Sequence, residues 1–98
     1  MIIGPQIRAA RALMGWTQFD LEAASGVSEI SIKNIERGAT DPRFSMLDAI
    51  RRALASGGVV FLADGDMRDG GPGVTLTRDA SAKAASIPIE ELNAENDE

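Results

Sequence analysis

The sequence predicts a mainly α fold: a four-helix head, followed by a C-terminal β-hairpin and a flexible acidic tail. Three observations carry this. Apolar residues recur at helical spacing through the first half of the chain, punctuated by capping residues and single glycines. After Gly57-Gly58 the pattern changes to two short β-type runs. The acidic charge is concentrated beyond them.

The elements follow in order. Pro5 suits the first turn of a helix whose apolar stripe is Ile7, Ala10, Leu13 and Met14, and Gly15 stops it. Thr17 can cap a second helix, with Asp20 three residues on, where a carboxylate favours a helix N-terminus. Leu21 and Ala24 share one face of it, and Gly26 supplies the left-handed backbone of a sharp turn. Ser28 caps a third helix, in which Ile32 and Ile35 pack back on the second. Arg37 suits the negative end of its dipole, and Gly38 ends it. Thr40-Asp41-Pro42 is a loop. Ser45 with Asp48 resembles a capping pair for a fourth helix, buried through Met46, Leu47, Ile50, Ala53 and Leu54.

Val59-Val60-Phe61-Leu62-Ala63 then reads as a strand, and Gly73-Val74-Thr75-Leu76-Thr77 alternates, placing Val74 and Leu76 on one face. The Gly- and Asp-rich stretch from Asp64 to Pro72 makes them an antiparallel hairpin with a long loop. An isolated hairpin is marginal in water, so it must pack on a helix or pair with a second copy. Residues 79–98 are of low complexity and then rich in Glu, Asn and Asp, so disorder is the default. Pro88, Glu90 and Glu91 offer a short helix there, with Ile89 and Leu92 on one side. The organisation expected is a helical head at 1–57, a hairpin extension at 58–78 and an acidic, flexible tail at 79–98.

Composition narrows the chemistry. The 98 residues include no cysteine and no histidine, which rules out a disulfide framework, a zinc finger and histidine general-base catalysis. No coherent carboxylate pair stands in their place, so an enzyme is not expected. No run of about 18 apolar residues occurs and the N-terminus lacks a signal-peptide pattern, so the expectation is a cytoplasmic protein that does not enter a membrane. The segment Gly65 to Gly73 lacks the Gly-Lys-Ser/Thr of a phosphate loop. Asp64, Asp66 and Asp69 lack the bidentate glutamate of a calcium loop, so neither metal nor cofactor is expected.

The segment Thr17 to Gly38, two short helices about the turn Ser25-Gly26-Val27, has the shape of a helix-turn-helix unit. Thr17-Gln18, Leu21, Ser25-Gly26-Val27-Ser28, Ile32, Ile35-Glu36-Arg37-Gly38 and, downstream, Pro42 resemble the DNA-binding domain of the phage-repressor family. That family comprises lambda-type repressors, Cro and the small XRE-like bacterial regulators. The resemblance covers roughly residues 4 to 56 and implies a repressor-like head that binds double-stranded DNA. It departs at Glu22, where the family usually has alanine. Either that carboxylate swings outward or the two helices pack with a slightly different geometry.

The resemblance places base contacts on Ser28, Glu29, Ile30, Lys33 and Asn34, and a phosphate contact on Gln18. Groove chemistry fits: Glu29 can accept from cytosine N4, Ile30 can touch a thymine methyl, and Asn34 can bond adenine or phosphate. Lys33 can reach guanine or the backbone. Glu29 would act largely by rejecting sites without that cytosine donor. Arg37, Thr40 and Arg43 are candidate phosphate clamps. The resemblance makes Arg11 and Glu36 a structural ion pair between helices one and three, whereas Arg8, Arg51 and Arg52 are read as solvated, with Arg8 also able to approach the DNA backbone.

Net charge is −5, awkward for a DNA binder. Residues 1–56, however, carry seven basic and six acidic side chains, a net of +1, and the remaining residues carry −6. A head at +1 implies modest affinity per protomer and a homodimer, with Phe61, Leu62, Val74 and Leu76 as the expected dimer contact. The function expected is a sequence-specific transcriptional regulator, a repressor on a palindromic operator. The alternative is a protein-binding module: an antitoxin whose acidic tail wraps a partner, or an antiactivator that turns its helical head against another regulator.

Overall fold

The computed structural model describes residues 2–63, 66 and 69–85. The readings placed on Asp64 and on the tail from Ser86 onward lie outside them. Helices α1 (Gly4–Met14), α2 (Gln18–Ser25), α3 (Glu29–Glu36) and α4 (Phe44–Ser56) precede strands β1 (Val59–Leu62) and β2 (Gly73–Leu76), and α5 (Arg78–Ala85) follows.

Local chemistry sets the helix ends. Thr17 Oγ1 accepts the Asp20 N–H at 3.0 Å while the Asp20 carboxylate accepts the Thr17 N–H at 2.9 Å, a reciprocal cap on α2. Gly26 leaves α2 at φ +78°, and Ser28 Oγ then accepts the Ser31 N–H at 3.2 Å to open α3. The helices close on Ile7, Leu21, Ile32, Ile50 and Leu54, all fully buried, and burying each such side chain contributes about 1.5–3 kcal/mol. Val59 carries this core into the hairpin.

The hairpin is antiparallel, pairing Val59 with Leu76, Val60 with Thr75, Phe61 with Val74 and Leu62 with Gly73. Alternation then puts Val59, Phe61, Val74 and Leu76 on the face that packs against the core, and Val60, Leu62 and Thr75 on the other. Of the four residues expected at a dimer contact, three therefore lean on their own head and Leu62 faces away. Gln6, buried in α1, fastens the hairpin: its Nε2 donates to Leu62 O at 3.1 Å and Gly73 O at 2.9 Å.

Four expectations change. Leu13 is 42% exposed, because the α1 stripe turns inward at Ile7 and Ala10 and reaches the core again only through Met14. Ala24 is also exposed, leaving Leu21 as the buried residue of α2. Helix α4 begins at Phe44 with Arg43 at its N-cap, so Ser45 lies inside the first turn. Asp48 pairs with Arg51 at 3.0 Å and Arg52 at 2.9 Å instead. Finally, residues 78–85 form α5, capped by Thr77, whose Oγ1 accepts the Ala80 N–H at 3.2 Å.

Candidate nucleic-acid interface

The third helix has two opposed faces. At 100° per residue, Ile32, Ile35 and Glu36 fall on one arc, and Glu29, Ile30, Lys33 and Asn34 on the other. The first three are buried; Glu29, Ile30 and Lys33 are exposed and Asn34 is half-buried. Among the described residues Ile30, 74% exposed, is the most exposed of the large apolar side chains. Ser28 is exposed, but its hydroxyl is engaged: it caps α3 and donates to Ser31 Oγ at 2.9 Å.

The inner end of α3 is held by charge. Arg11 Nε and Nη2 donate to the two Glu36 carboxylate oxygens at 2.6 and 2.7 Å, and Arg11 Nη1 donates to Trp16 O at 3.0 Å. Gln18 Nε2 donates to Glu36 Oε1 at 3.2 Å. Arg8, read from sequence as solvated, donates from Nη2 to Glu36 O at 3.1 Å, so it serves the C-terminal carbonyls of α3. The Glu36 side chain is 2% exposed, and helices α1, α2 and α3 meet on it. Hydrogen bonding to Glu36 holds the Arg11 guanidinium above the usual arginine range. Partial burial opposes that shift and the Glu36 charge adds to it.

Gln18 thus braces α3 from the first turn of α2. Arg37, Thr40 and Arg43 are all exposed along the connection from α3 to α4. The structure also settles where Glu22 goes. It is half-buried, and its Oε1 accepts the backbone N–H of Glu29 at 2.6 Å, joining α2 to the first residue of α3. Among the described residues, no three His, Cys, Asp or Glu side chains group as a metal site.

Three functional groupings were not read from sequence: the Gln6 tie, the Arg8 contact and the Glu22 contact. Gln6 had a local signal, since a glutamine at the third helical position can reach back to the N-cap backbone, and its Oε1 accepts the Ile3 N–H at 2.9 Å. The other two join positions 28 and 7 residues apart and depend on the packed pose.

The helix-turn-helix family pattern matches residues 7–57, about half of the chain. Uncharacterized HTH-type transcriptional regulators of Mycobacterium bovis and of Mycobacterium tuberculosis are 39% identical to it over 51 residues, which is 52% of this chain. The chain spans only a fifth of the length of these relatives. With its capped α2, glycine turn and outward-facing α3 inside the matched segment, the chain belongs to the XRE-type helix-turn-helix family.

Proposed function

We propose that this chain is a sequence-specific DNA-binding transcriptional regulator that reads the major groove with the outer face of α3. The observation carrying this is the display of Glu29, Ile30, Lys33 and Asn34 on one arc of a helix whose other arc is pinned in the core. Base contacts fall to these four, and Ser28 opens the helix that offers them. Gln18, Arg37, Thr40 and Arg43 take the flanking phosphates. The names of the mycobacterial relatives agree with regulation of transcription.

The protein acts as a homodimer on a palindrome with half-sites about one helical turn apart, and represses by occupancy. Such a protein works in the cytoplasm. Its dimer contact is the hairpin, where Leu62 and its outer-face neighbour Val60 meet the second copy. Phe61, Val74 and Leu76 support them from beneath.

Selection from a random double-stranded DNA pool at about 150 mM salt tests this reading. A palindromic motif, lost in a Lys33→Ala/Asn34→Ala double variant that still folds, is the expected result. No motif from the wild-type protein would overturn it and move the search to a protein partner.

A further inference from the structure

From the contact between Glu22 and Glu29 we infer that Glu22 is a positioning residue which sets the base preference of α3. The inference rests on the reading of α3 as a DNA-recognition helix.

The first backbone N–H groups of an α-helix lack partners within the helix, and they point along its axis. In α3 two of them are already satisfied. Ser31 N–H is held by Ser28 Oγ at 3.2 Å, within the same turn. Glu29 N–H is held by Glu22 Oε1 at 2.6 Å, from a different helix. The Ser28 cap ends the helix neatly but leaves its direction free. The Glu22 contact spans the turn through Gly26, whose φ of +78° makes that turn sharp, and fixes the start of α3 relative to α2. Its far end is fixed by the Arg11–Glu36–Gln18 network. A helix of 8 residues held at both ends offers Glu29 and Ile30 in one direction only.

A carboxylate is well suited to this task. Its charge complements the positive end of the α3 dipole, and a charge-assisted hydrogen bond is shorter and stronger than a neutral one. It has a second effect. With anionic Glu22 against the first N–H and the Glu29 side chain beside it, the α3 N-terminus is a poor seat for a DNA phosphate. Recognition by this helix therefore depends on base edges, and the phosphate grip falls to residues elsewhere.

The experiment compares wild type, Glu22→Ala and Glu22→Gln by selection from a random double-stranded DNA pool, with thermal unfolding of each as a control for folding. Glutamine keeps an oxygen acceptor for the Glu29 N–H, whereas alanine removes it. Glu22→Gln should select the wild-type motif. Glu22→Ala, folded, should lose about fivefold or more of the preference at the base nearest Glu29. An unchanged preference in Glu22→Ala, or an equal loss in Glu22→Gln, overturns the inference.

A second measurement needs no DNA. The Glu29 N–H should exchange slowly with solvent in wild type and in Glu22→Gln, and about tenfold faster in folded Glu22→Ala. Equal exchange in all three proteins overturns the clamp. If wild type selects no motif while the Glu29 N–H is still protected through Glu22, the clamp stands and the DNA reading fails.

Discussion

Replacing Arg11 by alanine tests the arrangement that holds α3 in place. The substitution removes two hydrogen bonds to Glu36, at 2.6 and 2.7 Å, and one to Trp16 O at 3.0 Å. It leaves a carboxylate that is 2% exposed with only Gln18 and the more distant Arg8, at 3.9 Å, to face it. Removing one partner of a buried pair costs ~3–5 kcal/mol. The Arg11 side chain is itself 16% exposed, so water reaches part of the vacated space, and the lower end applies: about 3 kcal/mol. Small domains hold only ~5–15 kcal/mol in total, and each kcal/mol is worth roughly 4–8 °C in Tm, so a loss of roughly 12–24 °C is expected.

Urea unfolding followed by far-UV circular dichroism measures this directly. The double variant Arg11→Met/Glu36→Leu, which removes both charges, should recover much of the loss. A cost for Arg11→Ala below about 1 kcal/mol, the value of an exposed pair, would refute the reasoning. The pH dependence follows from the raised Arg11 value. A group whose folded-state pKa lies above its unfolded one gives its full stabilisation below the unfolded value, and loses it as pH rises through the folded one. Both values lie in the alkaline arginine range, so this pair should add no slope to stability between about pH 7 and pH 10.

Three further outcomes are expected. Gly4→Ala would put a methyl 2.5 Å from Ile35 O and 2.8 Å from Glu36 O, so α1 must lift off the end of α3, at a cost of about 1–3 kcal/mol in thermal unfolding. Gly26→Ala meets open space but a φ of +78°, so it should cost about 1–2 kcal/mol by backbone strain alone, and Gly26→Asn should cost less. Gln6→Met keeps the side-chain length but strips the donors from Leu62 O and Gly73 O; a loss of about 1–3 kcal/mol is expected, with faster amide hydrogen exchange in the hairpin than in α4.

The head was legible because its punctuation is local. Thr17, Ser28, Gly15 and Gly26 each act within a few residues, so their chemistry can be read along the chain. Residues 78–85 are helical although their low complexity points to disorder, because alanine, the strongest of helix formers, recurs there and Thr77 caps the first turn. Leu13 misled because an i, i+3 stripe fixes a helix face only to within the width of that face, and α1 is rotated so that Leu13 falls at its edge. At the candidate interface the outer arc of α3 follows from its period alone. The pose of that arc does not, because Glu22, Arg8 and Gln18 act across the turn or from other helices.

The Gln6 tie also bears on the order in which the molecule assembles. Its two acceptors lie 56 and 67 residues further along the chain. As the polypeptide emerges from a ribosome, α1 to α4 can close around Ile7 and Leu54 while the Gln6 amide still has only Ile3 and water for company. The last buried polar group of the first helix finds its partners only when residue 73 has been made. Contacts of such long sequence separation form slowly, so docking of the hairpin should appear as a late kinetic step that follows collapse of the helices.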